Sequence, residues 1–182
     1  MFGDYSEEDG KRLIEIARKA IESEFTGEKV EIPKEKQFIQ TRGVFVTLNK
    51  KRKLRGCIGY PHATLPLIEA VVGAARSAAF SDPRFSTVKQ EELQDIKIEI
   101  SILSVPEEVK DVKKIKIGRD GLMCSYVSYS GLLLPQVATE HKMSRIQFLE
   151  AVCQKAGLPK DSWEKPGFKL WKFSAQIFSE SQ

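Results

Sequence analysis

The segment Ile96-Lys97-Ile98-Glu99-Ile100-Ser101-Ile102 carries the clearest structural signal in the chain. Isoleucine alternates with polar residues, and the side chains of a β-strand point alternately to its two faces. The segment therefore predicts a strand that lines a core with its four isoleucines. Glu99 would lie on the opposite face of that strand.

Other β-rich segments lie on both sides of this strand in the sequence. Residues 43–48 and 54–58 flank a polar turn and predict a hairpin. Residues 170–178 alternate large apolar side chains and predict a final strand.

Two helices stand out by their ends and their apolar periodicity. Ser6 is a good N-cap for a helix that ends near Gly27. Thr64 is predicted to cap a second helix that runs to Phe80 and is apolar nearly all round, which indicates burial on more than one side. With the strands, these helices predict an α+β fold, a mainly antiparallel sheet packed with helices.

Composition narrows the class of protein. The 182 residues suit one domain, and contents of 41% hydrophobic and 30% charged residues are typical of a soluble globular chain. A net charge of +4 is too small to indicate nucleic-acid binding by itself. Neither a charged-then-apolar leader nor an apolar run of about 18 residues is visible, so neither secretion nor a membrane is predicted.

The cysteines indicate the redox setting. Cys57, Cys124 and Cys153 are far apart and odd in number, which argues against a thiolate zinc site and a disulfide framework. A reducing, cytoplasmic location is therefore expected. The sequence has no phosphate loop, dinucleotide fingerprint or metal-ligand spacing, so no metal and no cofactor is predicted.

The segment Leu54-Arg55-Gly56-Cys57-Ile58-Gly59-Tyr60 is the candidate site. Strand alternation predicts Arg55, Cys57 and Gly59 on one face, with Leu54, Gly56 and Ile58 on the other. Gly56 and Gly59 lack a Cβ, so a backbone or a ligand could approach the thiol closely. A guanidinium nearby favours the thiolate form of Cys57, which would then act as a nucleophile. Alternatively, Cys57 is a buried structural thiol.

Charged residues elsewhere extend this candidate site. Arg55 and Arg84 would together clamp a carboxylate or phosphate, or they would instead pair with Asp82 or Glu99. Glu99 would serve as a general base if burial raised its pKa, or be a solvated strand residue. Asp82 precedes Pro83, which favours a turn-capping role over catalysis.

A basic turn lies between the two hairpin segments. Lys50, Lys51, Arg52 and Lys53 are consecutive cations that would contact phosphate. The simpler interpretation, which the sequence favours, is a solvated turn, since polar turns are the rule.

Several ordered motifs resemble the AMMECR-domain family. The resemblance covers the chain from about Gly43 to the end, and its motifs are Leu54–Gly59, Ala79–Phe85, Glu99–Leu103, Gly131–Ala138, Phe148–Leu149, Cys153–Pro159 and Trp163. It implies one AMMECR-like domain over residues 1–182, with an antiparallel sheet and two unequal lobes. It also implies protein partners related to Memo-like or radical-SAM proteins.

Two functions remain open from the sequence. In the first, an enzyme or accessory subunit binds a small anionic or nucleotide-like ligand in a groove lined by Arg55, Cys57, Asp82, Arg84 and Glu99. Cys57 would be the nucleophile and Glu99 the proton carrier. In the second, the protein is a non-catalytic module that recruits a protein or RNA, and the same motifs are structural.

Overall fold

The computed structural model describes residues 5–180. Its helices are α1 (Glu7–Thr26), α2 (Lys36–Ile39), α3 (Leu67–Phe80), α4 (Pro135–Glu140) and α5 (Arg145–Lys155). Its strands are β1 (Val44–Lys50), β2 (Lys53–Tyr60), β3 (Ile96–Leu103), β4 (Glu107–Glu108), β5 (Gly121–Tyr126), β6 (Tyr129–Leu133), β7 (Lys169–Phe173) and β8 (Ala175–Ser179). Short 3-10 turns occur at Gln90–Asp95, Val112–Lys114 and Ser162–Glu164.

The strands form two four-stranded antiparallel sheets. Their orders are β2-β1-β3-β8 and β4-β7-β5-β6. The chain divides into two compact units, of which the first ends at Ile102 and resumes at Gln176, while the second is Leu103–Ala175. Each sheet packs against helices, so the predicted α+β class is confirmed.

The core of the first unit lies on one face of its sheet. All four isoleucines of β3 are buried, whereas Lys97 is exposed and Glu99 partly exposed, so the predicted alternation is confirmed. Helix α3 packs on β1 and β2, and α1 packs on α3. We call this side the helix-packed face, and the opposite side, which carries Thr47 and Glu99, the Thr47 face.

Local sequence signals predict both ends of α1 but not the start of α3. Ser6 caps α1 with a capping box to Asp9, and Gly27 ends the helix in the left-handed region, as predicted. Helix α3 begins at Leu67, not at Thr64, with Pro66 as its N-cap. Within residues 5–180 no helix combines the length and the apolar character needed to cross a bilayer.

The predicted final strand is two strands in different sheets. The break lies at Ser174, whose backbone carbonyl accepts a hydrogen bond from the Ser104 amide at 2.9 Å. The Ser174 amide in turn donates to the Ser104 hydroxyl at 3.0 Å. These bonds replace a continuous strand ladder, and β8 then pairs with β3.

The second unit has its own core and its own local signals. Helix α5 packs on β5 and β6, and the predicted capping box between Ser144 and Gln147 is confirmed. Cys124 and Cys153 are both fully buried in this unit, as a packing role requires. The second core therefore forms from residues 103–175 alone.

Gly56 allows β2 to approach α3. A Cβ at this position would lie 2.1 Å from the carbonyl oxygen of Ala78, which is helix backbone and cannot rotate away. The protein's own backbone thus occupies the space left free by the missing side chain.

We expect Gly56→Ala to lower the free energy of unfolding by about 3 kcal/mol, because the added methyl forces the strand and the helix apart. Gly27→Ala is the matched control: its Cβ meets nothing within 4 Å. The positive φ there makes the change cost only about 1 kcal/mol. Urea unfolding of both variants measures the difference, and equal losses would contradict the close approach.

Candidate functional site

The pairing of β1 with β2 contains one extra residue in β2. Leu48 lies opposite Gly56, but the next residue, Asn49, lies opposite Leu54, so Arg55 has no partner on β1. Such a β-bulge interrupts the alternation of side chains. Leu54 consequently shares the face of Asn49 and is 44% exposed. The predicted placement of Leu54 opposite to Cys57 is wrong for this reason.

Arg55 is bound within the fold instead of standing beside Cys57. Its Nε and Nη2 donate to the two carboxylate oxygens of Glu92 at 3.1 and 2.9 Å. Nη1 and Nη2 also donate to the carbonyls of Ser86 and Thr87. The side chain is 12% exposed. The predicted pairing of this arginine within the protein is present, but its partner is Glu92.

Glu92 accepts hydrogen bonds from two basic residues at this end of the sheet. Lys50 Nζ donates to the same carboxylate at 2.9 Å. Hydrogen bonds from Arg55, and then from Lys50, hold the pKa of Glu92 well below its ordinary value of 4.5. The carboxylate is therefore ionised and neutralises the charge of the Arg55 guanidinium.

Asp82 and Arg84 cover the outer edge of β2. The buried carboxylate of Asp82 accepts the Cys57 amide at 2.8 Å and binds the Arg84 guanidinium through both of its oxygens, at 3.0 and 2.7 Å. Arg84 Nη2 also donates to the Cys57 carbonyl at 3.0 Å. Hydrogen bonds from Arg84 and Cys57 hold the pKa of Asp82 well below its ordinary value of 3.8. The turn-capping role predicted for Asp82 is confirmed by its bond to the Arg84 amide.

This edge arrangement brings the thiol close to a threonine. Because both backbone groups of Cys57 bond outward, its pairing with Thr47 is of the narrow, non-hydrogen-bonded kind. Thr47 Oγ1 donates to Cys57 Sγ at 3.3 Å. Cys57 is partly exposed, whereas burial raises the pKa of the Cys124 thiol to about 11.

A row of polar side chains crosses the Thr47 face at the level of Cys57. Thr47 lies opposite Cys57 on one side and opposite Glu99 on the other, and Glu99 accepts a hydrogen bond from the Ser179 hydroxyl at 3.0 Å. The two strand spacings put the backbones of Cys57 and Glu99 roughly 10 Å apart. Proton transfer between them therefore needs the Thr47 hydroxyl or a bound molecule in between.

The two glycines of the candidate segment have different neighbours. Gly56 faces α3, and Gly59 lies on the Thr47 face under the ring of Phe45, whose Cδ1 would lie 2.4 Å from an added Cβ. Internal packing thus accounts for both glycines. Among the described residues no group of three or more His, Cys, Asp or Glu side chains is arranged to hold a metal ion.

Known proteins resemble this chain over nearly its whole length. A family model described as AMMECR1 matches residues 14–178. The chain belongs to the AMMECR1 family. It is 48% identical to a protein of Methanothermobacter thermautotrophicus over 96% of each chain. It is 46% identical to protein MJ0810 of Methanocaldococcus jannaschii over 95% of this chain and 90% of that one.

A solved structure agrees with the AMMECR1 assignment. The fold superimposes on the crystal structure of the uncharacterized protein PH0010 from Pyrococcus horikoshii with a TM-score of 0.91 and 43% identity. The match covers 98% of this chain and 95% of that one. In the AMMECR1 chain described here, the motif around Cys57 and the motif around Asp82 bind each other directly.

Sequence reasoning missed two members of this AMMECR1 site. Thr47 escaped because a two-residue turn without a bulge would place it opposite Gly56. Glu92 escaped because an acidic residue in a short helix is usually solvated, and its two basic partners are distant in sequence. The available sequence signals were the basic residues Lys50–Lys53 and the acidic pair Glu91-Glu92.

We expect the stability of the protein to fall as the pH drops from about 5 to 2. Glu92 and Asp82 have lower pKa values in the folded than in the unfolded protein, so their stabilisation is complete above the unfolded values of 4.5 and 3.8. It is lost progressively as the pH falls from these values toward the folded-state pKa values. Glu92→Gln should flatten this dependence, while Glu91→Gln, an exposed neighbour, should retain it. Urea unfolding across the pH range measures both, and identical slopes would contradict the assignment.

Proposed function

We propose that this AMMECR1-family protein is an enzyme, or an accessory subunit of one, that binds a small anionic or nucleotide-like ligand beside Cys57. The supporting observation is the partial exposure of the Cys57 thiol together with its hydrogen bond. Cys57 is partly exposed at a sheet edge and receives a hydrogen bond from Thr47, whereas Cys124 and Cys153 are buried. A hydroxyl that donates to sulfur stabilises negative charge there, as a nucleophile requires.

Arg84 is the candidate for binding the anionic group. Its side chain is 53% exposed, and its Nε and Nη2 bind Asp82 and the Cys57 carbonyl. Nη1 takes part in none of these bonds and is the donor left for a carboxylate or phosphate. On Arg55, by contrast, every nitrogen already donates to Glu92, Ser86 or Thr87. The proposed clamp is therefore one arginine.

In the proposed chemistry, Cys57, Thr47 and Glu99 have different roles. The Cys57 sulfur adds to a carbonyl carbon of the ligand: the carbon–sulfur bond forms, the carbon–oxygen π bond breaks, and its electron pair moves to the oxygen, which takes up a proton. Glu99 receives the thiol proton by way of a group of the ligand, because the two backbones are roughly 10 Å apart and the Thr47 hydroxyl donates to the sulfur. The three cysteines are all unpaired, which fits work in a reducing, cytoplasmic compartment.

A second function is supported by the candidate site residues that bind or pack against other parts of the protein. Both arginines bind carboxylates of the protein, and both glycines are explained by packing. On this basis the alternative is a scaffold module without catalysis. Its partners would be proteins related to Memo-like or radical-SAM proteins, or RNA.

Alkylation of the native protein tests the first proposal. We expect iodoacetamide to add one group, at Cys57, because the other two thiols are buried; intact mass and peptide mapping locate it. Cys57→Ser should take up none. Thr47→Val, which has nearly the same shape, should react several-fold more slowly because the sulfur loses its hydrogen bond.

Protection from alkylation separates the two functions. Nucleotides, sugar phosphates and dicarboxylates are added in turn, and we expect one class to slow the labelling of Cys57. Arg84→Gln should abolish that protection while leaving the thiol reactive. A thiol that resists alkylation in the folded protein, or one that no compound protects, would favour the scaffold.

A further inference from the structure

Positive charge is concentrated in the second unit of the chain. Residues 103–175 contain 12 Lys and Arg against 8 Asp and Glu, whereas the other residues contain 17 of each kind. The net charge of +4 therefore belongs entirely to the second unit. A charge confined to one unit produces a stronger local potential than the same charge spread over the whole surface.

Most of this charge lies in one segment, residues 110–119, which contains five cations and one acidic residue. Arg145, the first residue of α5, is bound to this segment because its Nε donates to the Ile115 carbonyl at 3.1 Å. The end of α4 also reaches the segment, since Thr139 lies against Gly118. We call the seven exposed cations of these elements the basic surface: Lys110, Lys113, Lys114, Lys116, Arg119, Lys142 and Arg145.

Six of the seven cations of the basic surface have no ion pair. The exception is Arg119, which binds the buried carboxylate of Asp120. Among residues 5–180, no carboxylate lies within ion-pair distance of the other six. Asp120 also accepts the Lys116 amide at 2.9 Å, which fixes the loop that carries this lysine. The surface thus presents cations that the fold does not neutralise, on a backbone that is held in place.

Two of these cations occupy positions that are unfavourable for them. Lys142 has a φ of 51°, in the left-handed region, and follows the cap of α4, where glycine is preferred. Arg145 begins α5, where the positive end of the helix dipole disfavours a cation. The stability of the fold therefore does not explain the choice of residue at Lys142 or the charge at Arg145, which indicates a function for both.

We propose that the basic surface binds the phosphate backbone of a double-stranded nucleic acid. This proposal is independent of the chemistry at Cys57 and gives the second candidate function a defined surface. Five of the seven cations are lysines. Lysine is depleted at interfaces between proteins, whereas cations that neutralise phosphates supply most of the affinity for nucleic acids.

The residues around these cations narrow the choice of partner. Residues 107–120 and 139–147 contain no Phe, Tyr or Trp, so the base stacking on which single-strand binding relies is not supplied there. Ile117 and Ile146 are 37% and 47% exposed, so the larger part of each is already buried and little is left to insert into a bilayer. The regular phosphates of a duplex fit this surface best.

The variant Lys114→Gln/Lys116→Gln removes two of the six cations that have no ion pair. We expect its affinity for a duplex to fall at least about tenfold while its thermal midpoint is unchanged. The matched control, Lys155→Gln/Lys165→Gln, removes two exposed lysines of the same unit. Lys155 ends α5, about 15 Å along the helix from Arg145, so the control should bind like the wild-type protein.

The variant Lys142→Gly separates stability from binding. We expect its thermal midpoint to rise, because glycine adopts a positive φ without strain, and its affinity to fall several-fold, because one phosphate contact is lost. A variant that keeps the full affinity would contradict the function assigned to this strained lysine.

Fluorescence anisotropy measures binding to a labelled duplex of about 20 base pairs, as RNA and as DNA, from about 50 to 200 mM salt. Four phosphate contacts predict a slope of log K against log salt of about −3.6, which Lys114→Gln/Lys116→Gln should reduce in size by about 1.8. The duplex that binds more tightly identifies the source of the phosphates, and equal binding identifies contact with the backbone alone. Either result supports the proposal.

The proposal is overturned if the wild-type protein binds neither duplex at about 50 mM salt. It is also overturned if Lys114→Gln/Lys116→Gln keeps the affinity and the slope, or if the control variant loses as much. Poly-glutamate, and vesicles of phosphatidylserine and phosphatidylcholine, are added as competitors. If either displaces the duplex at equal charge, the surface recognises acidic proteins or lipid headgroups, and the nucleic-acid assignment fails.

Discussion

The extra residue in β2 fixes the side of the sheet on which the Cys57 thiol lies. The turn pairs Lys50 with Lys53, and that register alone would put Cys57 opposite Val46, on the helix-packed face. Arg55 shifts the register by one, and a shift of one residue reverses the face of every side chain beyond it. The thiol consequently pairs with Thr47 rather than with a core valine.

Two ion pairs hold this shifted register in place. Glu92 binds the guanidinium of the bulged residue, and Asp82 binds the backbone amide of Cys57 together with Arg84. A buried carboxylate is costly unless its oxygens are satisfied, and Asp82 is satisfied only when the edge of β2 and the corner at Arg84 are both in position. The same contacts cover an edge strand that would otherwise offer unpaired backbone groups.

These contacts neutralise the charged residues near the thiol. A guanidinium that is bound to a carboxylate contributes little net charge to its surroundings, so the arginines do more to hold Cys57 in place than to activate it. The hydroxyl of Thr47 is the group that touches the sulfur. The candidate chemistry therefore depends on a neutral hydrogen-bond donor and on Nη1 of Arg84.

The sequence by itself determined the elements with strong local signals: the alternation of Ile96–Ile102, the capping boxes at Ser6 and Ser144, the α+β class and the family. These depend on periodicity and on hydrogen bonds between residues three or four apart. Only the tertiary structure decided the bulge at Arg55, the start of α3 and the division of the last strand, because each depends on partners distant in sequence. The alternation rule predicts faces correctly only within an unbroken ladder, so one extra residue was enough to separate Arg55 from Cys57 and to bring in Thr47.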